Sequence, residues 1–127
     1  FAAIKSHFGR LDGLVNNAGS ATPNTVENLI EEEVLAQVQT NFLGTVFSSQ
    51  AVIPLLRGSD NPRIVNISSA SAWHYDEMSH LSIYAATKAA VERPVLPRVG
   101  TANVLRLVSR RGRMHVNIWM RVWTYNT

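Results

Sequence analysis

Helical and strand-like patterns alternate through the first ninety residues of the chain, and this alternation restricts its possible folds more than any other feature. Short apolar runs at 11–15 and 63–68 predict two buried strands. Helical patterns occur at 1–8, at 29–56 and from Ser82 to about Pro94. A right-handed crossover through the middle helix would make the two strands parallel neighbours in one sheet. The sequence therefore predicts an α/β fold.

Individual residues indicate where these helices begin, end and pack. Gly9 suits the C-cap of the first helix, and Pro54 is expected to end or kink the long one. The acidic residues 31–33 complement the positive end of the long helix's dipole. Apolar residues recur along this helix three or four apart and predict one buried stripe: Val34, Leu35, Val38, Phe42 and Val46.

Composition excludes several classes of protein. The chain has no cysteine, so it forms no disulfide and no thiolate metal site, and a cytoplasmic location is expected. Its histidines show no metal-ligand spacing, and no metal is predicted. Its longest apolar run, at 51–56, is far shorter than the ~20 residues that span a bilayer. Because it opens with Phe1 instead of methionine, we expect a piece of a longer protein.

Charge is divided unevenly along the chain. Residues 1–89 carry a net charge of −3, whereas residues 90–127 carry seven arginines, one acid and a net charge of +6. An arginine-rich arm could bind nucleic acid or an anionic membrane. These arginines define no helical face, however, and neither partner is predicted.

Tyr84 and Lys88 are the first candidates for chemistry. They lie four residues apart in a helical pattern, so they share one face. A nearby ammonium group favours the phenolate, which makes a tyrosine able to exchange a proton with an alcohol or ketone oxygen. The hydroxyl of Ser69, at the end of the second strand, could hold the same oxygen by a hydrogen bond.

Four motifs in order give this pair a specific context. Asn16-Asn17-Ala18-Gly19 follows the first strand, and Asn41-Phe42-Leu43-Gly44 lies in the long helix. Asn66-Ile67-Ser68-Ser69 ends the second strand, and Tyr84-Ala85-Ala86-Thr87-Lys88 opens the next helix. Over residues 1–93, this order resembles the short-chain dehydrogenase/reductase family, and it corresponds to roughly the central third of a full-length member.

The resemblance implies roles for particular residues. Tyr84 would be the general acid/base, and Lys88 would lower the tyrosine's pKa and hydrogen-bond the nicotinamide ribose. Ser69 would polarise the substrate oxygen, and Asn41 would anchor a water that links the lysine to solvent. The predicted cofactor-binding residues are Asn17, Ala18, Gly19, Tyr84 and Lys88.

The resemblance also implies a fold and an activity. The fold would be the central portion of a Rossmann-like, doubly wound parallel sheet. The activity would be hydride transfer between NAD or NADP and a small alcohol or ketone, as in 3-oxoacyl carrier-protein reductases or hydroxysteroid dehydrogenases. The parent protein would be a homodimer or homotetramer that associates through its long helices. Residues 73–75, in the loop that lines the substrate cleft in the family, either set specificity or make no substrate contact.

Three departures from the family pattern leave alternatives open. The glycine-rich turn that binds the pyrophosphate is absent, since no two of the seven glycines lie two apart. The chain could therefore be a non-catalytic fragment.

Ser69 precedes Tyr84 by fifteen residues, two more than is common in the family, and Ser71 has the common spacing. We favour Ser69 because it ends the strand pattern. Residues 94–127 lose the resemblance, and we interpret them as an atypical, arginine-rich tail that is either read in a shifted frame or unrelated to the family.

Overall fold

The fold is an α/β arrangement in which helices and strands alternate. A computed structural model describes residues 1–73, 79–92 and 122–124. Four helices and three strands occur there in the order α1 (Ala2–Phe8), β1 (Gly13–Asn16), α2 (Glu31–Val38), α3 (Gly44–Leu56), β2 (Arg63–Asn66), α4 (Ser82–Ala90) and β3 (Val122–Thr124). Short 3₁₀ turns at Val26–Asn28, Ala70–Ala72 and Ser79–Leu81 lie in the connecting segments. The α/β class predicted from the sequence is confirmed.

The sheet has the strand order β1-β2-β3. β1 and β2 pair in parallel from Gly13 opposite Arg63 to Asn16 opposite Asn66, as the crossover rule predicts. β3 pairs with β2 in the antiparallel sense, which the sequence patterns did not predict. The carboxyl ends of β1 and β2 therefore meet at one edge of the sheet.

The helix boundaries follow local chemistry. α1 ends at Gly9, whose φ of 75° lies in a region that side chains disfavour, and this confirms the predicted C-cap. Pro54 was expected to end or kink the long helix, yet α3 includes Pro54 and ends at Leu56. Because Pro54 stands in the last turn, only one helical N–H is lost before the helix ends.

The long helix contains a π turn, Gln39–Leu43, between α2 and α3. Its five residues continue the helical path, so α2 and α3 form one rod over residues 31–56. π turns within α-helices are rare and often occur at functional sites. Asn41, the buried residue of this turn, is one of the predicted site residues.

The predicted apolar stripe of the long helix is wrong: Leu35 is 56% exposed, and the other four members are only half-buried. The residues that this helix buries over its first five turns are instead polar. They are Gln37, Asn41, Thr45 and Ser49, each four residues from the next. Polar groups are buried at low cost only when they are hydrogen-bonded. Thr45 donates to the Asn41 carbonyl, and Ser49 accepts from Asn16.

The apolar core lies under the first half of the sheet. Val52, Leu55 and Leu56 of α3 pack on Ile64 of β2. Ile4, Leu11 and Leu14 are partly buried against them. The core therefore supports the base of the sheet, while the opposite, carboxyl-end edge is built from polar side chains.

Several predictions lie outside the described residues. These include His74 and Tyr75, the end of the last helix at Pro94, and all of the tail at 94–127 except the backbone of β3. Among the helices that the structure describes, none combines the length and the apolar character needed to cross a membrane.

Candidate active site

A cleft of about 300 Å³ opens at the carboxyl ends of β1 and β2. Its lining comes from the loop after β1, the end of β2 and the first turns of α4: Asn17, Gly19, Ser20, Ala21, Ile67, Ser68, Ser69, Tyr84 and Lys88. Ligands of open α/β sheets bind at this edge. Three predicted catalytic residues, Ser69, Tyr84 and Lys88, thus share one cavity. Of the described lining residues, Lys88 is the one with a formal charge at neutral pH, and none is a carboxylate.

Lys88 is nearly enclosed. Its residue is 4% exposed, and its Nζ donates a hydrogen bond of 2.9 Å to the carbonyl of Ile67. Burial lowers the pKa of the Lys88 ammonium below its usual value of 10.5, because desolvation disfavours the charged form. The carbonyl of Ile67 was not predicted as part of the site, since a backbone acceptor leaves no signal in the sequence.

Tyr84 lies one helical turn before Lys88 and half-buried at the cleft wall. The Lys88 Nζ is 5.8 Å from the centre of the Tyr84 ring. α4 therefore presents the phenol and the ammonium to the same cavity, as their four-residue spacing predicts.

Ser69 and Ser71 occupy different environments. Ser69 is half-buried and lines the cleft, whereas Ser71 is 1% exposed and does not line it. The Ser69 Oγ accepts a hydrogen bond of 3.3 Å from the Ser71 backbone N–H and one of 3.0 Å from the Ser71 Oγ. The serine favoured from the strand pattern is thus the one that reaches the cavity.

Asn41 lies behind the cleft wall. Its Oδ1 accepts from the Ser20 backbone N–H at 2.8 Å, and its Nδ2 donates to the Ser20 carbonyl at 2.9 Å. The same Nδ2 donates to the Thr87 Oγ1 at 3.0 Å, and Thr87 donates to the Tyr84 carbonyl at 2.7 Å. Asn41 therefore joins the loop after β1 to α4. Its predicted role in holding a water stays a prediction.

Gly19 brings the backbone of the loop after β1 close to Lys88 and Asn41. A Cβ at Gly19 would lie 3.1 Å from the Lys88 Nζ and 3.4 Å from the Asn41 Oδ1. A side chain there would press on the ammonium. Asn17 also lines the cleft, whereas Ala18 is exposed and is not among the described lining residues.

Trp73 stands at the start of the predicted specificity loop and is 53% exposed. Its indole N–H donates to the Glu92 carboxylate at 2.8 Å, and the Ser68 Oγ approaches the same carboxylate oxygen at 2.6 Å. Trp73 does not belong to the described lining of the cleft. Glu92 was not singled out from the sequence, because a lone acid at a helix end carries no specific signal.

With this geometry established, the family can be assigned. The model of the short chain dehydrogenase family matches residues 1–95. The chain belongs to this family, whose members are NAD(P)-dependent oxidoreductases, and the resemblance inferred from the four motifs is confirmed.

Known relatives agree with this assignment. The chain is 44% identical over 87 residues to 11-beta-hydroxysteroid dehydrogenase 1A of Arabidopsis thaliana, a match that covers 68% of this chain and 24% of that protein. It is 40% identical over 89 residues to a 3-ketodihydrosphingosine reductase of Bacteroides thetaiotaomicron, covering 70% of this chain and 32% of the relative. The chain thus spans a quarter to a third of the length of these relatives.

A solved structure shares the fold. A short-chain dehydrogenase/reductase from Serratia marcescens superposes with a TM-score of 0.66 at 31% identity, over 71% of this chain and 40% of that one. The partial Rossmann-like fold predicted from the sequence is confirmed.

Proposed function

We propose that this chain forms the catalytic centre of an NAD(P)-dependent oxidoreductase that interconverts an alcohol and a ketone, with Tyr84 as general acid/base. The observation that carries the proposal is the single cleft shared by Tyr84, Ser69 and Lys88. No carboxylate is among the described lining residues. The phenol is therefore the group best suited to proton exchange there.

Each side chain has a distinct task in ketone reduction. Tyr84 donates its proton to the carbonyl oxygen as that oxygen gains charge. Ser69 donates a hydrogen bond to the same oxygen and stabilises the charge. The ammonium of Lys88, fixed on the Ile67 carbonyl, stabilises the phenolate that remains. In alcohol oxidation the same residues act in reverse.

The residues around Lys88 fit the nicotinamide end of a dinucleotide. Because Gly19 has no side chain, its backbone lies close to Lys88 and leaves the ammonium facing the cleft. Asn17, Gly19 and Lys88 would hold the ribose, and Ala18 would border it. The bound NAD(P) would supply or accept the hydride.

The substrate is proposed to be an apolar molecule with an alcohol or ketone group. The two curated relatives named above are a hydroxysteroid dehydrogenase and a ketodihydrosphingosine reductase. These names support the hydroxysteroid-like alternative. The 3-oxoacyl carrier-protein reductase-like alternative needs the same four residues and stays open. A cytoplasmic location also stays a prediction.

Association through the long helix is part of the proposal. On the long helix, Leu35 is 56% exposed and Phe47 is 59% exposed. They are the exposed large apolar residues of this helix, and exposed apolar surface that forms a contiguous patch is where another subunit can bind. This supports a homodimer or homotetramer in the parent protein.

The second candidate is a non-catalytic fragment of such an enzyme. Phe8 is 70% exposed and Val15 is 61% exposed, although Val15 stands in a strand of the sheet. Apolar groups at this exposure favour self-association over a stable monomer. This alternative predicts no saturable cofactor binding by the chain.

Replacing Tyr84 by phenylalanine tests the catalytic proposal. The variant keeps the ring and loses the acidic proton, so we expect ketone reduction to fall by about 10²–10⁴-fold in kcat. The NADPH dissociation constant should change far less than kcat, because the ring of residue 84 and the other cofactor-binding residues are kept. The measurement is NADPH oxidation by the purified protein with a panel of ketones.

Tyr125→Phe is the matched control, since no role is predicted for that tyrosine. It should retain the natural turnover. Natural turnover in the Tyr84→Phe protein would contradict the proposed role of Tyr84.

A further inference from the structure

The Ser69 hydroxyl has both of its acceptor positions occupied from one side. The Ser71 backbone N–H donates to the Ser69 Oγ at 3.3 Å. The Ser71 Oγ lies 3.0 Å from the same oxygen, and because Ser71 is buried and its hydroxyl has no other acceptor among the described residues, its proton is donated to Ser69. The first of these bonds also makes Ser69 the N-cap of the 3₁₀ turn Ala70–Ala72. A hydroxyl accepts two hydrogen bonds and donates one. Only the proton of Ser69 is left for another partner.

That proton has no acceptor among the described residues of the protein. Ser69 lines the cleft, so the direction left for its O–H bond is toward the cavity. Ser71, which is 1% exposed, does not reach the cavity. It acts on the site only through Ser69.

We propose that Ser71 is a positioning residue that makes Ser69 an obligate hydrogen-bond donor toward the substrate oxygen. A ketone oxygen only accepts hydrogen bonds, whereas an alcohol oxygen both donates and accepts. A serine fixed as donor can bond either oxygen but can no longer accept from an alcohol, so compared with a freely rotating serine it favours the carbonyl form of the substrate in the binding step. This inference rests on the proposed function and extends it from Ser69 to Ser71.

The first test removes only the side-chain bond. In Ser71→Ala the 3.0 Å Oγ–Oγ bond is lost, and only the longer bond of 3.3 Å from the backbone N–H of residue 71 is left to hold the Ser69 rotamer. Ser71→Thr restores a hydroxyl. Ser59→Ala is the matched control, because the Ser59 Oγ likewise accepts a backbone N–H two residues later, from Asn61 at 3.3 Å, at the opposite end of β2.

The first readout needs no activity. Three-bond NMR couplings report the χ1 rotamer of Ser69 in the protein without ligand. We expect one rotamer in the natural protein, in Ser71→Thr and in Ser59→Ala, and averaged couplings in Ser71→Ala. A single unchanged rotamer in Ser71→Ala would overturn the inference.

The second readout is the dissociation constant of cyclohexanone with the NADP⁺-loaded protein and of cyclohexanol with the NADPH-loaded protein, two pairs that cannot react. In Ser71→Ala the affinity for the ketone should fall about two- to tenfold, the range for one neutral hydrogen bond, while the affinity for the alcohol changes less. Equal losses for both probes would indicate a structural role and overturn the inference. If Ser69 loses its fixed rotamer in Ser71→Ala but the natural protein reduces no ketone, the proposed function fails and the positioning role of Ser71 stands.

Discussion

At the scale of single residues, Lys88 connects function with stability. It is 4% exposed, and its described hydrogen bond goes to one backbone carbonyl. Burying an ammonium group costs free energy unless it is fully compensated. The buried ammonium of Lys88 therefore lowers the stability of the folded protein, which indicates that it serves the site and not the fold.

This cost predicts a pH dependence of stability. Burial lowers the pKa of Lys88 in the folded state, so the unfolded chain binds more protons between that lowered pKa and 10.5. Stability rises with pH wherever the unfolded state holds more protons. The free energy of unfolding of the natural chain, minus that of Lys88→Met, should therefore increase as pH rises through this window and stay flat below it.

Urea unfolding of both proteins at a series of pH values measures this difference. Lys5→Met, which removes an exposed lysine of α1, is the control for loss of a charge without burial. A difference that falls with rising pH, or that matches the Lys5 series, would contradict the assigned burial of Lys88.

At the scale of secondary-structure elements, the π turn determines how the site is assembled. It brings Asn41 to the buried side of the long helix, where this one side chain bonds the loop after β1 and α4. An amide with two N–H groups and one carbonyl suits three partners on two elements. The polar stripe of the helix thus replaces apolar packing beside the cleft.

Replacing Asn41 by alanine should therefore uncouple these elements. Three hydrogen bonds are lost and the buried Thr87 hydroxyl is left without its donor, so we expect the free energy of unfolding to fall by about 2–4 kcal/mol. Gln39→Ala, an exposed change in the same π turn, is the control and should have little effect. Urea denaturation measures both variants.

A double-mutant cycle adds Thr87→Val, which removes the hydroxyl that accepts from Asn41. The combined loss should be smaller than the sum of the single losses, since the two variants break one shared hydrogen bond. Strictly additive losses would contradict the link between the π turn and α4.

The sequence could predict the elements that have their own local signals. The apolar runs of β1 and β2, the glycine after α1 and the alanine-rich start of α4 each specify structure within a few residues. The buried stripe of the long helix was mispredicted because periodicity cannot distinguish a face that packs on the core from one that packs on a polar site. The direction of β3 could not be predicted, since strand pairing is a tertiary property.

The same distinction applies to the site. Tyr84, Lys88 and Ser69 could be found because their spacing and strand context are visible in the chain. The Ile67 carbonyl and the hydroxyl of Thr87 became visible only through their contacts. Ser71 was visible from its spacing, but as an alternative to Ser69 and not as its partner. Common residue types such as threonine do not indicate a role by their position in the sequence, and their role is identified only from the contacts they make in the fold.

At the scale of the whole molecule, most of the chain matches the short chain dehydrogenase family. The first 95 residues match the family, and the chain spans 24% and 32% of the two relatives compared. Among the described strands, β1 forms an edge of the sheet, and Val15 on it is 61% exposed. Whether the chain binds its cofactor by itself therefore separates the catalytic proposal from the non-catalytic alternative.

The most direct test of the central claim is an NMR titration of the chain with NADPH and, separately, with NADH. We predict saturable binding of at least one of them below about 1 mM, with shift changes confined to residues 17–21, 67–69 and 84–88. These residues line or border the cleft at the ends of β1 and β2. No saturation with either cofactor, or shift changes outside this cleft, would contradict the claim that Ser69, Tyr84 and Lys88 form one cofactor-binding catalytic site.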